Sequence, residues 1–404
     1  MPNSKTNQSK LRRVYATAFT GSISDGMVSP FIFVYAVRLG ASSADIGWMR
    51  SVNNLFTYTL QVPWGRLSDR IGKRVAIVAA SSLAASLLWI PIIFIEDPKM
   101  LIPLLSLRSF IASASIPAWS ALLGDLTQAS LRGSVISMVN VASSLGSLMA
   151  TAIAGPLIDY SGGKLTVVVL VSSALGSISA IILMGLREPR IGKPIKMTDL
   201  TSLLKTSDLP KLMGGESDFG LFLRLSVAQG FFLTFAWPLF PITMAETLNL
   251  SMWEVGAISI INICITLLCQ PFMGKAVDKF GRRPVLIFNF VSLTTVPLMY
   301  CYASDFFQLA IFNIFLGVIT AAGNASVLTY LLDIVPEDRV GEFTAIYNMA
   351  IGISYFAGSV AGGNLTQFAI LVLGRRRGLE AGYLISAFGR FLTGISFLKV
   401  KEAR

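Results

Sequence analysis

Apolar runs of about 20 residues, separated by short polar segments, recur along the whole chain and constrain its fold most strongly. A helix of that length spans the hydrocarbon core of a bilayer. Of the 404 residues, 53% are hydrophobic and only 14% are charged, whereas roughly a quarter are charged in a soluble domain. We therefore predict an all-α integral membrane protein whose outer solvent is lipid. The net charge of +11 does not indicate nucleic acid, since the basic residues lie in short loops.

Twelve transmembrane helices are predicted from these runs and the residues that interrupt them. The longest polar segment divides them into an N-terminal bundle (1–186), a central cytoplasmic linker (187–218) and a C-terminal bundle (219–404). The linker forms either amphipathic helices on the membrane surface or a solvated connection. The predicted spans are 14–37, 45–65, 75–95, 101–124, 135–158, 165–186, 219–245, 253–273, 284–303, 306–332, 341–366 and 380–398.

The loop charges predict the orientation. With an even number of spans both termini lie on one side, and the loops of that side carry 23 of the 33 Lys and Arg residues, against 6 in the opposite loops. The positive-inside rule places the side with more Lys and Arg residues in the cytoplasm. Residues 375–377, three consecutive arginines on the outer side, run against this rule. The polar, basic residues 1–13 indicate a cytosolic tail and no signal peptide.

The two halves of the chain repeat each other. Segment 65–74 (GRLSDRIGKR) recurs as 274–283 (GKAVDKFGRR), an offset of 209, and Asp125 recurs as Asp333 at 208. Constant spacing over the whole chain indicates duplication, and parallel six-helix repeats are a known transporter architecture. Small residues four apart on the fifth span recur on the eleventh at an offset of 208, namely Ala142, Gly146, Ala150 and Ala154 and then Ala350, Ser354, Gly358 and Gly362.

The repeated segment resembles the signature motif of the major facilitator superfamily. The resemblance implies twelve helices in two pseudo-symmetric six-helix bundles and transport by alternating access. Arg108 resembles the arginine of a second family motif. Gly146 and Gly155-Pro156 resemble an antiporter motif that normally closes with two glycines, but residues 159–160 are Asp-Tyr here. The direction of transport stays open.

By this resemblance, the two copies of the motif form a cytoplasmic gate. Each aspartate of the motif would lie in a tight inner loop, near the start of a helix of the opposite half, where a carboxylate is favoured. The resemblance also implies a charge cluster of Asp69, Arg70, Arg74 and Asp125, mirrored by Arg283 and Asp333. The alternative is a loop of solvated charges that only fixes topology. The predicted gating residues are Gly65, Asp69, Arg70, Gly72, Arg74 and Asp125 in the first half, and Gly274, Asp278, Gly281, Arg283 and Asp333 in the second.

Residues that the repeat does not duplicate are candidates for solute chemistry. Asp25, Arg108 and Arg390 lie deep in predicted spans, and none has a charged counterpart at an offset of 208 or 209. A charge at mid-bilayer costs about 2.5–3.5 kcal/mol on insertion scales, so it usually serves a function. The alternative is a buried structural pair, in particular Asp25 with Arg108.

Asp25 is the predicted proton carrier. It is the only one of 22 acidic residues well inside a predicted span, and the sequence has no histidine. A solute that disturbs contact between Asp25 and Arg108 would change the proton affinity of the carboxyl group. Some proton-coupled drug exporters of the family resemble this chain in carrying an acid on helix 1 beside the arginine of helix 4.

The resemblance also implies a central cavity between helices 1, 4, 7 and 10. Polar residues on these helices are either ligands of the solute or packing residues between helices. Trp119 is left out because it lies nearer the inner end. The predicted substrate-binding residues are Asp25, Arg108, Gln229, Trp237, Asn313, Asn324 and Arg390.

Three functions remain open. The leading hypothesis is proton-coupled efflux of small amphipathic or cationic organic compounds by a monomer in the cell membrane. The alternatives are uptake or symport of an anionic metabolite, which the extra arginines favour, and a non-transporting solute sensor. An enzyme is not expected, because the sequence suggests no nucleophile–base pair, ATP-binding loop, cofactor or metal site. The three cysteines, Cys264, Cys269 and Cys301, lie in or beside apolar runs and indicate neither a disulfide framework nor a zinc site.

Overall fold

The computed structural model of the chain describes residues 3–127, 131–188, 218–336 and 339–402. Within these ranges the chain is almost entirely helical and has no β-strand. The α-helices are α1 Asn3–Val28, α2 Ile32–Arg38, α3 Ser43–Thr59, α4 Gln61–Ile71, α5 Arg74–Leu87, α6 Leu101–Ser113, α7 Ser115–Leu126, α8 Arg132–Tyr160, α9 Thr166–Met184, α10 Asp218–Phe235, α11 Leu239–Ile242, α12 Met252–Phe280, α13 Arg282–Ser292, α14 Thr295–Tyr302, α15 Phe306–Ile334, α16 Val340–Leu373 and α17 Arg375–Ser396.

Several predicted spans consist of two helical pieces, and proline explains three of the breaks. Pro63, Pro117 and Pro297 lie within the first few residues of α4, α7 and α14. Proline has no N–H and cannot bond the carbonyl four residues earlier, so the preceding helix ends there. Short 3₁₀ segments at Ile90–Phe94, Pro98–Met100 and Phe397–Lys399, and a π-helical turn at Thr243–Thr247, complete the described structure.

By its contacts the chain forms two compact units. Unit 1 comprises Met1–Phe33, Leu60–Leu204 and Ser251–Gly256, and therefore contains α1, α4–α9 and the first turn of α12. In unit 1, α1 packs along α8 and α9, and α5 packs along α7 and α9. Its core is aliphatic and includes the buried residues Val14, Val75, Leu122, Val139 and Leu183.

Unit 2 comprises Val34–Thr59, Lys205–Leu250 and Ala257–Arg404. Within it, α10 packs along α16 and α17, α13 packs along α15 and α17, and α3 lies along α16. Its core is aromatic, and Phe222, Phe290, Tyr330 and Phe397 are buried there. The helix pairs α10–α16, α10–α17 and α13–α17 of unit 2 correspond to α1–α8, α1–α9 and α5–α9 of unit 1, as expected for a repeat. The boundaries predicted at 186 and 219 stay a prediction.

Ten helical segments in the described ranges are long and apolar enough to cross a membrane. They account for the third to twelfth predicted spans. The first two predicted spans are not among them, because α1 includes the basic N-terminal residues and α3 has only 17 residues. The count of twelve therefore stays a prediction. Large apolar side chains such as Phe94, Phe272 and Leu371 are exposed on the helices, as required of a surface that faces lipid.

Three predicted loops are wrong. The motif aspartates Asp69 and Asp278 lie in the last turns of α4 and α12, not in loops, because each helix continues to a glycine that ends it with positive φ, +69° at Gly72 and +90° at Gly281. The third, between the last two spans, is replaced by Gly374 alone, with φ +83°. The three arginines 375–377 therefore form the first turn of α17. Predictions for the linker fall on 189–217, outside the described residues.

The four-spaced small residues lie on helix contacts, as predicted. A Cβ added to Gly146 of α8 would lie 2.5 Å from the carbonyl oxygen of Phe19 in α1. A Cβ added to Gly358 or Gly362 of α16 would lie 2.2 or 2.0 Å from the carbonyl oxygens of Phe231 and Phe235 in α10. Only glycine permits such close backbone approach, which supplies much of the attraction between helices in lipid.

Candidate functional site

Unit 1 contains a cavity of about 350 Å³. Its walls come from α1, α5–α7, α8 and α9. The break between α6 and α7 lies in this wall, since Ala112 and Ser115 on its two sides both line the cavity. Among the described residues that line the cavity, Asp25 is the only acid and Arg108 is the only base. The remaining lining consists mainly of serine and small apolar residues.

Asp25 and Arg108 form an ion pair in this cavity. The Nη2 atom of Arg108 donates to Oδ1 of Asp25 at 2.5 Å. The guanidinium also stacks over the ring of Trp89, 3.7 Å from its centroid, and Trp89 is itself buried. The side chain of Asp25 is 63% exposed and that of Arg108 is 16% exposed. The carboxylate is therefore the accessible partner, and the guanidinium is held from behind.

Two other predicted substrate-binding residues are engaged between helices of unit 2. Gln229 is buried, donates to the carbonyl oxygen of Phe290 at 3.3 Å and accepts from the hydroxyl of Thr393. Arg390 is fully buried. It donates to the carbonyl oxygens of Phe232, Leu233 and Leu293 at 3.3, 2.7 and 2.9 Å. Both residues use their polar atoms on helix packing, one of the two roles that the sequence left open.

The remaining predicted substrate residues also belong to unit 2. Asn313 is buried and donates to the carbonyl oxygen of Leu309 at 2.8 Å. Asn324 is exposed on α15. Trp237 is half-buried beside Tyr355, with ring centroids 5.4 Å apart. The structure therefore brings Asp25 and Arg108 together but does not gather these three side chains into one cluster.

The first copy of the motif forms a charge cluster of three of the four predicted residues, without an ion pair of Arg70 in the described ranges. Arg74 pairs with Asp69 at 2.7 Å and also with Asp125. It donates in addition to the carbonyl oxygen of Ala121 at 3.0 Å. Its guanidinium therefore ties the end of α4, the start of α5 and the end of α7. Arg70 is half-buried on α4, and Gly65 approaches Pro117 in α7.

The second copy differs from its predicted arrangement. Asp333 pairs with Arg282 at 2.6 Å, whereas the sequence predicted a cluster with Arg283. Arg283 instead donates to the carbonyl oxygen of Leu398 at 2.8 Å. The reason is geometric, since α13 begins at residue 282 directly after Gly281. Asp278 is exposed, and no ion pair of it exists within the described ranges. A Cβ at Gly274 would meet nothing within 4 Å.

Two carboxylates that were not predicted from the sequence accept hydrogen bonds from the starts of the helices that follow the motif. Glu188 accepts from the N–H groups of Val75 and Ala76 at 3.1 and 2.9 Å. In unit 2, Glu402 accepts from the N–H groups of Arg282 and Arg283 at 2.7 and 3.2 Å. A carboxylate at a helix N-terminus is favoured by the unpaired N–H groups and the helix dipole. A glutamate just after the last helix of each half was the available signal.

Two aromatic residues at the cavity were also missed. Trp89 lies 19 positions before Arg108 in the sequence, and only the fold brings its ring under the guanidinium. Trp119, set aside as too near the inner end, lines the cavity. The chain breaks its helix near Ala114, before Trp119. The position of Trp119 in the wall therefore cannot be predicted from residue spacing on one continuous helix.

Known proteins resemble the chain over its whole length. The profile of the Major Facilitator Superfamily matches residues 14–225 and 222–403. An uncharacterized MFS-type transporter of Methanocaldococcus jannaschii is 24% identical over 398 residues, covering 96% of this chain and 97% of the relative. A multi-drug resistance efflux pump PmrA homolog of Lactococcus lactis is 24% identical over 360 residues, covering 87% and 86%.

Among solved structures, a mutant of the nucleoside transporter NupG matches with a TM-score of 0.81 at 14% sequence identity, covering 97% of this chain and 100% of that chain. At this identity the likeness shows the fold alone. The profile match covers nearly the whole chain. The chain therefore belongs to the Major Facilitator Superfamily and is a multi-pass membrane transporter, not an enzyme.

Proposed function

We propose that the chain exports small organic compounds, amphipathic or cationic, in exchange for protons. It works as a monomer by alternating access. It lies in the cell membrane with both termini in the cytoplasm. The observation that carries this proposal is the ion pair of Asp25 and Arg108 in the cavity of unit 1. A carboxylate that is exposed to a cavity can bind a proton, a cationic solute or the neighbouring guanidinium.

These three partners compete for one carboxylate, which is the physical basis of exchange. Protonation of Asp25 removes its negative charge, weakens its attraction to a cationic solute and releases the solute. Loss of the proton restores the charge, which Arg108 satisfies until the next solute enters. In this cycle proton and solute occupy Asp25 alternately, so a proton gradient drives the solute in the opposite direction.

The charge cluster of Arg74 serves the gate in this proposal. One guanidinium holds Asp69 and Asp125 from different helices, so movement of either helix breaks an ion pair that can form again afterwards. The efflux pump homolog of Lactococcus lactis supports export as the direction. The exposure of Asp25, in contrast to that of Arg108, supports a cationic over an anionic solute.

The experiment is transport by purified protein in liposomes with an imposed pH gradient. A panel of cationic, neutral and anionic compounds identifies the solute. Asp25→Asn preserves the size of the side chain and removes its titratable group. We expect this variant to lose gradient-driven accumulation, while Glu96→Gln, a control at an acid that does not line the cavity, behaves as the unmodified protein. Unchanged gradient-driven transport in Asp25→Asn would refute proton coupling through this residue.

A further inference from the structure

The cavity of unit 1 has a wall of hydroxyl groups. Nine of its 19 lining residues are serine or threonine. Most of the surface exposed in the cavity is still apolar, as in other ligand pockets, so the hydroxyls and the charged pair are the groups that can select the polar atoms of a ligand. The hydroxyls come from α1, α5, α7, α8 and α9, so they surround the space where Asp25 and Arg108 meet.

Five of these hydroxyls already use their single hydrogen atom. Each donates to a backbone carbonyl oxygen at 2.7–3.1 Å. A hydroxyl has one donor and two acceptor lone pairs, so each of the five can still accept a hydrogen bond but cannot donate a second one without losing the first. The five pairs are Ser24 with Ser172, Ser86 with Leu83, Ser115 with Ala112, Ser120 with Ile116 and Ser179 with Thr17.

The other four hydroxyls do not change this preference of the lining for ligands that donate hydrogen bonds. Ser22, Ser82 and Ser143 are half-buried and can rotate to donate or to accept. The hydroxyl of Thr17 is buried at the cavity and has no hydrogen-bond partner among the described residues. This oxygen has almost no accessible surface, so it does not offer a donor to a ligand in the cavity.

The charged pair adds to the bias toward acceptors. The carboxylate of Asp25 can only accept, and it is mostly exposed. The Nη2 group of Arg108 donates to Asp25, one face of the guanidinium is covered by the ring of Trp89, and its Nε atom is buried. A ligand in this cavity therefore meets many acceptors and few free donors.

We infer that the cavity binds a small hydrophilic organic cation that carries several N–H and O–H donors, such as a protonated amino sugar or amino alcohol, in preference to a lipophilic cation or an anion. The ammonium group of the ligand lies at Asp25, and its other donors are satisfied by the hydroxyl wall. This inference rests on the site of the proposed function and narrows its solute class. It concerns binding and does not depend on which ion drives transport.

Equilibrium binding to purified protein in detergent, without any gradient, tests this inference. Glucosamine, glucose and glucuronate share a ring and most of their hydroxyls but carry positive, no and negative charge. We expect glucosamine to bind at least about tenfold more tightly than glucose, and glucuronate to bind most weakly. Equal affinities, preference for glucuronate, no detectable binding of glucosamine, or tighter binding of tetraphenylphosphonium than of glucosamine would each overturn the inference.

A matched pair of variants tests the hydroxyl wall itself. Ser115 and Ser106 each donate to a backbone carbonyl three or four residues earlier, at 2.7 and 2.6 Å, but only Ser115 lines the cavity. We expect Ser115→Ala to weaken glucosamine binding severalfold and Ser106→Ala to leave it unchanged. Equal effects of the two substitutions would overturn the role of the wall. Binding of glucosamine by a protein that shows no proton-driven transport would support this inference and reject the proposed coupling.

Discussion

Asp159 accepts a hydrogen bond from the backbone N–H of Met252 at 2.9 Å, and thereby joins the last turn of α8 to the first turn of α12. Its second oxygen accepts from the N–H of Trp253 at 2.7 Å. A Cβ on Gly155, one turn earlier, would lie 2.9 Å from the carbonyl oxygen of Met252. Asp159 occupies a position where the antiporter motif of the family has glycine. In this chain its carboxylate caps a helix.

Neutralising this carboxylate should weaken the cap. Asp159→Asn retains an acceptor oxygen but loses the negative charge at the positive end of the helix dipole. We expect it to lower the free energy of unfolding by about 1 kcal/mol, as for other lost caps, visible as a lower melting temperature of the purified protein. Lys164→Gln, at an exposed residue of the following loop, is the control. Equal melting temperatures for all three proteins would contradict a stabilising role of Asp159.

The two copies of the signature motif should differ in function. Asp69 pairs with Arg74, whereas Asp278 is exposed. Asp69→Asn therefore removes an ion pair worth about 1 kcal/mol at a partly exposed site, and Asp278→Asn removes none within the described residues. We expect Asp69→Asn to reduce transport severalfold at normal membrane insertion, and Asp278→Asn to leave the rate nearly unchanged. The measurement is the transport rate of each variant and of the unmodified protein in liposomes that contain equal amounts of protein. Equal losses in both variants would mean that the motif acts alike in the two halves.

The sequence predicted the fold because a repeat is visible along the chain. It predicted the Asp25–Arg108 pair because neither residue has a charged counterpart in the other half. The repeat at 208–209 residues identified the architecture, and Asp25 was found because it lacks a charged counterpart. The partner of Asp333 could not be found in this way. The repeat assigns it Arg283, but the turn at Gly281 places Arg282 within reach. Glu188 and Glu402 were missed because their partners are backbone N–H groups, so the position of each glutamate just after the last helix of its half was the only signal in the sequence.

Glycines on the same helix should tolerate alanine very differently. A Cβ at Gly362 of α16 would lie 2.0 Å from the carbonyl oxygen of Phe235, whereas one at Gly341 would meet nothing within 4 Å. We expect Gly362→Ala to destabilise the protein by about 1–3 kcal/mol, as overpacking does. Gly341→Ala should be neutral, or stabilising by up to about 1 kcal/mol, because alanine is the better helix former. Thermal unfolding in detergent compares them, and equal stabilities would contradict the close contact of α16 with α10.

Arg390 should matter for stability more than for solute binding. Its guanidinium donates to three backbone carbonyls, and it is fully buried. Arg390→Met removes these donors, although the carbonyl of Phe232 still accepts from Ser386. We expect a loss of about 2 kcal/mol or more from the other two carbonyls, since each buried acceptor without a partner costs about 1–3 kcal/mol. Arg376→Met on the same helix removes only a surface ion pair with Glu380, worth about 0–1 kcal/mol. A stable Arg390→Met protein that fails to bind solute would instead show that Arg390 is a solute-binding residue.

Arg108 should act as a competitor of the solute for Asp25. If a cationic solute must displace the guanidinium from the carboxylate, removing the guanidinium removes that cost. We therefore expect Arg108→Met to bind cations such as protonated ethanolamine, an amino alcohol, more tightly than the unmodified protein at mildly alkaline pH, by about tenfold. It should transport them more slowly, because no internal cation returns to Asp25 when the solute leaves.

Arg108→Lys separates charge from geometry in this competition. Lysine retains the positive charge but lacks the planar guanidinium that stacks on Trp89 and directs Nη2 to Asp25. We expect its affinity for the cation to lie between those of the unmodified protein and Arg108→Met. Weaker cation binding in Arg108→Met than in the unmodified protein would show that Arg108 contacts the solute directly. In that case the pair would bind a zwitterion or an anion, and the competition between guanidinium and solute would have to be abandoned.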